Sequence, residues 1–523
     1  MNRSIPHGRS AAHEALHVPS AVNGPSRARE LLARLVADRV EADGAVRDRC
    51  ASRILESALL LQLLRGQGTM PQVQDRLGDY LRHAPQRTFL DTAIADGVQG
   101  RQDIPAVRAY LEQFHHFTGA RKRLMIRSLL ALCDAAPLPP VPELEQIRYG
   151  DQALWTDLAL CAVRILGTGP HDTSAPAEAD RAFLTQQLAS FGPDQVWQGN
   201  LLNHLIALHA LRSFHPGSPL LAAGIQTLTR HSNPDGGVPF IAGQEVWVTS
   251  LAGTALVSAG APHRLALRMG DYIAGRQLED GGWGYDHTTT QSDVDDTSRC
   301  MTFLQHTDPH RYRHALHQAE NYLLGIANPD SGGFPTYRKG HPSEPDLTAG
   351  AVIALAPTGH RHLAVLSAAL RFLRTAQRDD GTFERSWTMS ESSVISHVWE
   401  AFEHTRALLP ELAPPDVPAG ARLIATQNSD GGWGQAPGQE SDALSTAHAL
   451  PAVRAWCGPE AAQRALDYLL SRQHDDGSYT APPDQVGPRP IPYDFPLLTQ
   501  ISVLTGLNHV LGSHVAPSTA RLG

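Results

Sequence analysis

Residues 277–298 read QLEDGGWGYDHTTTQSDVDDTS, and two signals lie side by side in them. The first is a turn that runs from Gln277 to Trp283. The second is a cluster of three carboxylates within four positions, Asp293, Asp295 and Asp296. The turn type recurs along the chain, and the carboxylate cluster occurs once.

Turns of the first kind begin at Asn233, Gln277, Asn328, Gln377, Gln427 and Gln473, at offsets of 44, 51, 49, 50 and 46 residues. Gln or Asn ends a helix, Asp-Gly makes a tight turn, and the following aromatic pins the next helix. A period near 50 residues with helical segments between the turns predicts stacked helical hairpins. The period fits a closed (α/α) barrel or an open solenoid equally well. Nearer the N-terminus, Leu31, Leu32, Leu35 and Val36, then Ile54, Ala58, Leu61 and Leu64, recur at helical spacing. Asp43-Gly44 divides them into two helices. Further helices are expected over 153–166 and 201–213, with a loop at Pro137, Pro139, Pro140 and Pro142. Strand signals are sparse, so the fold class is all-α.

A chain of 523 residues has room for two domains. A net charge of −9 and a pI of about 6.3 argue against a nucleic-acid partner. The five cysteines are scattered with no C-x-x-C pair, which suits a reducing compartment and gives neither a disulfide framework nor a zinc knuckle. No apolar run reaches the roughly 18–20 residues of a membrane span. Residues 1–25 read as a disordered tail without a signal peptide. The expectation is a cytoplasmic protein, monomer or homodimer.

Three acids packed this closely repel one another. In a poorly hydrated site at least one holds its proton above the reference pKa of about 4. Such a cluster can bind a hard cation, keep a carboxylic acid protonated for general-acid work, or be a solvated acidic turn.

The stretch DVDDT, with GGWGYD just upstream, resembles the D-x-D-D motif of class II terpene cyclases. The recurring turns resemble the QW motifs of triterpene and diterpene cyclases. NPDGGVPFIAGQEVWVT (233–249), NPDSGGFPTY (328–337), SWTMSES (386–392) and GPRPIPYDFP (487–496) extend the likeness over roughly residues 27–510. Together they resemble the bacterial two-domain enzymes, a group related to squalene–hopene cyclase. The resemblance implies two (α/α) barrel domains, called β and γ, with γ inserted after the first helices of β. Residues 26–66 plus 258–523 would form β, residues 67–257 would form γ, and substrate would lie between them.

The resemblance also implies a chemistry. The middle acid, Asp295, would protonate a carbon–carbon double bond, with Asp293 and Asp296 positioning and tuning it. Alkene protonation needs a strong, well-aimed acid and a dry pocket. The carbocation then needs stabilisation without a nucleophile, which aromatic faces supply. Trp247, Phe240, Trp283, Trp387 and Tyr493 lie in family-like stretches and are the candidates, although a turn Trp such as Trp283 is more often a scaffold pin. No D-D-x-x-D follows any acidic pair, so the product should keep its diphosphate. Arg121 and Lys122, beside Arg123 in GARKRLMIRS, are candidates to cradle it, with Arg338 and Lys339 as alternatives. Mg²⁺ would accompany the diphosphate, held by Asp151 at the end of QIRYGD, with Glu145 close by. No histidine can be singled out as terminal base, and His397 reads as structural or solvent-facing. The expected reaction takes geranylgeranyl diphosphate to a labdane- or clerodane-type product such as copalyl diphosphate. The alternative takes farnesyl diphosphate to drimenyl diphosphate. Two other classes explain the repeats less fully. A non-catalytic helical-repeat prenyl-binding module leaves the D-x-D-D unexplained. A protein-prenyltransferase-like barrel would need a zinc site of Asp, Cys and His, and Cys300 lacks the spacing for one.

Overall fold

The computed structural model describes residues 24–112, 119–168, 172, 174–412 and 418–512, and the expected N-terminal tail falls outside these apart from its last two residues. The described elements are helices with four two-residue strands. The larger unit closes into a ring. Its inner helices are Glu245–Ser258, Val294–Thr307, Pro345–Leu355, Glu391–Thr405, Ala443–Trp456 and Pro496–Val510. Each packs against the next, and the last packs against the first, so the repeats form a closed barrel rather than an open solenoid. Helices between them run back along the outside. Pro25–Ala37, from the start of the chain, takes the remaining outer place against the first and last inner helices.

Inner and outer helices differ as their burial demands. Leu363–Ala376, an outer helix, buries Leu366, Ala369, Leu370 and Leu373, a single stripe. The inner helix Pro345–Leu355 buries almost every residue.

The recurring turns tie the two layers together. Gln277 Nε2 donates to the Gly281 carbonyl at 2.7 Å and to that of Ala315, in the next outer helix, at 2.8 Å. Gln427 does the same to Gly431 at 2.8 Å and Ala461 at 3.0 Å. Gln473 donates to Gly477 at 3.0 Å and to Ala28 at 3.3 Å, so the last turn grips the first helix of the chain. The turn aromatics pin backwards as well: Trp283 Nε1 donates to the Ile273 carbonyl at 2.7 Å, and Trp433 Nε1 to that of Leu423 at 3.0 Å.

The smaller unit is a second ring of Ile54–Gln67, Gly119–Leu132, Leu154–Thr168 and Leu201–Phe214, with Phe89–Val98 packed against the first two. Its core is separate from that of the barrel. This moves both expected boundaries. Leu55, Leu59 and Leu63 pack with the smaller core, so helix Ile54–Gln67 belongs there rather than to β. Val246, Val248 and Leu256 pack with the larger core, so helix Glu245–Ser258 belongs to the barrel rather than to γ. A helix joins the unit that buries its apolar side chains, which the repeat spacing does not reveal.

The units meet at Arg53. Its strand, Ser52–Arg53, pairs antiparallel with Val238–Pro239. The buried guanidinium donates to Glu56 Oε2 at 2.7 Å and to the Gly487 carbonyl at 2.7 Å, and it lies 4.4 Å over the Phe240 ring. Among the described residues no helix is long and apolar enough to cross a membrane.

Gly431 has φ 90°, and a Cβ there would lie 2.5 Å from the Arg464 carbonyl oxygen. Gly431→Ala should therefore cost roughly 1–3 kcal/mol from backbone strain alone. Gly325, in an outer helix with open space around it, should gain about 0.5–1 kcal/mol as alanine. Thermal unfolding of the two variants should move in opposite directions.

Candidate active site

The carboxylates sit on a helix start that the barrel uses repeatedly. Trp283 N donates to Thr297 Oγ1 at 3.0 Å, and Asp293 N donates to the Trp283 carbonyl at 3.0 Å. Asp293 Oδ1 then accepts from Asp296 N at 2.8 Å and caps helix Val294–Thr307. The same frame recurs at Trp433, Asp442 and Thr446, where Asp442 accepts from Ser445 N at 2.7 Å. It recurs again at Phe334, Glu344 and Thr348. Asp293 is thus the ordinary cap. Asp295 and Asp296 stand where that second frame carries Leu444 and Ser445, and Asp346 stands in the position equivalent to Asp295.

Burial and charge divide the three acids. Asp293 and Asp296 are 3% and 4% exposed, whereas a quarter of the Asp295 side chain is exposed, onto the wall of an internal chamber. Burial lifts the Asp293 carboxyl to about 7 despite its hydrogen bonds to Asp296. Burial and then the Asp293 charge push Asp296 well above the usual range. Asp295 is also raised, by burial first, while the Arg299 guanidinium 3.4 Å away opposes the rise. Asp346 lies on the far side of this group. Burial would raise it, but His397, whose Nδ1 lies 2.6 Å from Asp346 Oδ1, holds it below its ordinary value. His397 is buried and paired, as a structural histidine would be, and is not solvent-facing. A carboxyl whose proton affinity is raised by burial and whose edge faces a chamber rich in aromatic rings can deliver its proton to a weak base.

The chamber lies where the N-terminal ends of the inner helices meet the smaller ring. Phe240, Trp247, Trp387 and Tyr493 line it, as the sequence suggests. Trp283 does not. It is fully buried in the barrel core and acts as a scaffold pin, because its indole is taken by Ile273. Tyr285, Tyr337, Trp155, Asn203 and Gln244 also line the chamber and were not singled out from sequence. Tyr285 stands two residues after Trp283, so the GGWGYD signal could have found it. Trp155 and Asn203 come from the smaller ring and have no local signal.

Trp155, Tyr337 and Trp387 form a row of edge-on rings, with centroids 6.5 and 6.3 Å apart. The same rings line a second space, a vestibule bordered by Arg121, Lys122 and Arg489. Burial, then the Arg489 charge, lowers the Lys122 ammonium to about 8. Arg489 was missed although its stretch was conspicuous, because proximity to Arg121 and Lys122 is a tertiary fact. Arg338 Nε donates to the Gln152 carbonyl at the edge of this vestibule. Lys339 is exposed, and Arg123 lines a different groove. Asp151 and Glu145 are both exposed and off the vestibule lining. Glu344 is the one carboxylate among the described lining residues, and it accepts from Thr336. Mg²⁺ typically takes one or two carboxylates plus substrate phosphate oxygens. Glu344 fits that pattern from within the vestibule, while Asp151 stands outside its lining but next to Gln152 and close enough for its charge to act on Arg121, both of which line it.

Comparison with known proteins agrees with this architecture. Residues 244–488 match the squalene-hopene cyclase C-terminal domain. The chain is 40% identical to a drimenyl diphosphate synthase of Streptantibioticus cattleyicolor, over 94% of this chain and 96% of that one. It is 39% identical to a drimenyl diphosphate synthase of Streptomyces showdoensis, over 92% and 94%. The structure of ent-copalyl diphosphate synthase from Streptomyces platensis shares the fold, with a TM-score of 0.56 at 16% identity over 93% of this chain and 99% of that one. The chain belongs to the bacterial class II terpene cyclases.

An acid that works protonated sets the sign of the pH dependence. The acids are coupled and titrate as a group. The kcat/KM profile should be level at acid pH and fall about tenfold per pH unit once the cluster ionises, on the alkaline side of the ordinary carboxylate value of about 4. A profile that rises with pH through this region would exclude a protonated carboxyl as the working form.

Proposed function

We propose that this enzyme converts farnesyl diphosphate to drimenyl diphosphate by protonation-initiated cyclisation, with the diphosphate retained. The observation that carries the reading is one arrangement: a chamber rich in aromatic rings with the exposed edge of Asp295 on its wall, and beside it, sharing the rings of Trp155, Tyr337 and Trp387, a vestibule lined by Arg121, Lys122 and Arg489. The names of the two full-length relatives support the fifteen-carbon product. The twenty-carbon substrate, first choice on the resemblance alone, accordingly gives way to the alternative.

In this reading Arg121, Lys122 and Arg489 hold the diphosphate, and the prenyl chain passes the rings of Trp155, Tyr337 and Trp387 into the chamber. Asp295 transfers its proton to the terminal double bond, whose electron pair forms the new C–H bond. The cation left on the neighbouring carbon is attacked by the next double bond, and then by the next, closing two rings. Asp293 caps the helix and so holds the Asp295 backbone in place. Asp296, protonated beside it, keeps negative charge from accumulating near the acid. The faces of Trp247, Phe240, Trp387 and Tyr493 stabilise the moving cation and offer no nucleophile comparable to a base. Mg²⁺, held by Glu344, would neutralise diphosphate charge.

The purified protein should give a bicyclic alcohol from farnesyl diphosphate only after phosphatase treatment. Asp295→Asn should lower the rate by about 10³-fold or more, since it removes the acid and keeps the shape. A cyclic hydrocarbon released without phosphatase, or an active Asp295→Asn, would overturn the assignment. Geranylgeranyl diphosphate as the better substrate would restore the twenty-carbon reading. Arg489→Ala should raise KM about tenfold or more with a smaller change in kcat. Glu344→Gln should weaken Mg²⁺ binding in the presence of a non-cyclisable diphosphate, read by calorimetry, while Asp151→Asn leaves it unchanged.

A further inference from the structure

Farnesyl and geranylgeranyl diphosphate present the same three isoprene units at the end that is protonated, and those units close the two rings. The extra unit of the longer chain lies at the other end, between the second ring and the diphosphate. An enzyme that takes the shorter chain therefore holds its diphosphate cradle one isoprene unit nearer to its acid. Whatever fixes that span selects the substrate.

In this structure a few side chains stand in the span. The chamber that receives the edge of Asp295 and the vestibule that holds Arg121, Lys122 and Arg489 share Met125, Trp155, Thr336, Tyr337, Trp387 and Pro488. Two of the rings are tied to the acid stretch. Leu154 N, next to Trp155, donates to Gln291 Oε1 at 2.8 Å, and Val294 N donates to the carbonyl of Thr336, next to Tyr337, at 3.0 Å. The same two stretches reach the basic side. Gln152, three residues before Trp155, accepts from Arg121 on its side chain and, on its carbonyl, from Arg338, the residue after Tyr337. The ring of Tyr337 stands between those of Trp155 and Trp387, and rings at these separations are in contact, so none can swing aside without losing a neighbour. Met125 is 6% exposed and lies one turn after Lys122 on helix Gly119–Leu132, on the same face.

We propose that Met125, Trp155 and Tyr337 are the chain-length gauge of this enzyme. They set the span between Asp295 and the basic cradle to that of a farnesyl chain and exclude a further isoprene unit. Trp155 comes from the smaller ring and Tyr337 from the barrel, so the gauge forms where the two units seat on each other. The three side chains act by shape and contact and move no proton. A longer chain held by the same cradle would bring the wrong carbons to Asp295, or would have to lift its diphosphate away from the cations. Trp387 completes the row, but its face also serves the cation, so the test leaves it intact.

The proposal rests on the fifteen-carbon cyclisation reading and is tested with the full chain. Met125→Ala, Trp155→Leu, Tyr337→Leu and the triple variant would be assayed with farnesyl and geranylgeranyl diphosphate. The ratio of kcat/KM for the longer chain to that for the shorter should rise about tenfold or more in the triple variant. A lesion that merely loosens the fold lowers both values together and leaves the ratio where it was. A triple variant that turns over farnesyl diphosphate with the wild-type ratio would overturn the proposal. The wild-type enzyme supplies the second readout, with homofarnesyl diphosphate, which is one methylene longer at the diphosphate end. Its kcat/KM should lie about tenfold or more below that of farnesyl diphosphate. Equal use of the two would overturn the gauge even if the variants fail to fold. Wild-type protein that prefers geranylgeranyl diphosphate would sink the fifteen-carbon reading itself, an outcome distinct from a wild-type preference for farnesyl diphosphate with unaltered variants.

Discussion

The structure depends on a small contact: a glutamine side-chain amide bridging its own turn and the next outer helix. At Gln277, Gln427 and Gln473 one Nε2 reaches both a turn glycine carbonyl and a helix carbonyl. At Gly281 and Gly431 a Cβ would collide with the backbone of that outer helix. The turn therefore sets the distance between layers, and its repetition sets the radius of the barrel. Because the last turn grips Ala28, the ring is completed by a helix more than four hundred positions earlier in the chain.

Closing the ring also gathers the N-terminal ends of the inner helices at one mouth. There the helix dipoles favour anions while burial disfavours them. In the Trp433 frame, which carries Leu444 and Ser445, the conflict is confined to the cap Asp442, which burial lifts to about 6. In the frame that carries Asp295 and Asp296 burial wins, and it raises the proton affinity of both carboxyls at a rim that faces an aromatic chamber. The Asp346–His397 pair, one position along the ring, shows the opposite resolution: a partner 2.6 Å away keeps its acid ionised. Two equivalent positions in one scaffold thus carry acids of contrary tendency, and the difference lies in their neighbours.

The chamber belongs to neither unit. The barrel supplies the acids and most aromatics, while the smaller ring supplies Trp155, Ile206 and Asn203. Arg53 holds the two faces together by satisfying a carboxylate and a loop carbonyl and by covering Phe240 with its guanidinium. A buried charge so fully paired is costly to disturb. Phe240 and Gly487, both touched by Arg53, line the chamber.

Much of this was legible in residue order. Helical periodicity, the turn spacing and the lone D-x-D-D are local patterns, and local patterns survive in one dimension. They point to an all-α repeat fold and to an acidic cluster of chemical use, and the basic run picks out the Arg121–Lys122 pair. The family resemblance adds Asp295 as the acid and Trp247 and Trp387 as chamber residues. Other features depend on which surfaces meet. The assignment of helices Ile54–Gln67 and Glu245–Ser258 to their cores follows from packing, as does the burial of Trp283 away from the chamber. Arg489 and Glu344 reach the vestibule, and Asp151 does not, because of how two rings seat on each other. Spacing along a chain specifies a helix face and a turn. Only the closed rings decide which faces share an interior, because burial is a property of neighbours that lie far apart in sequence.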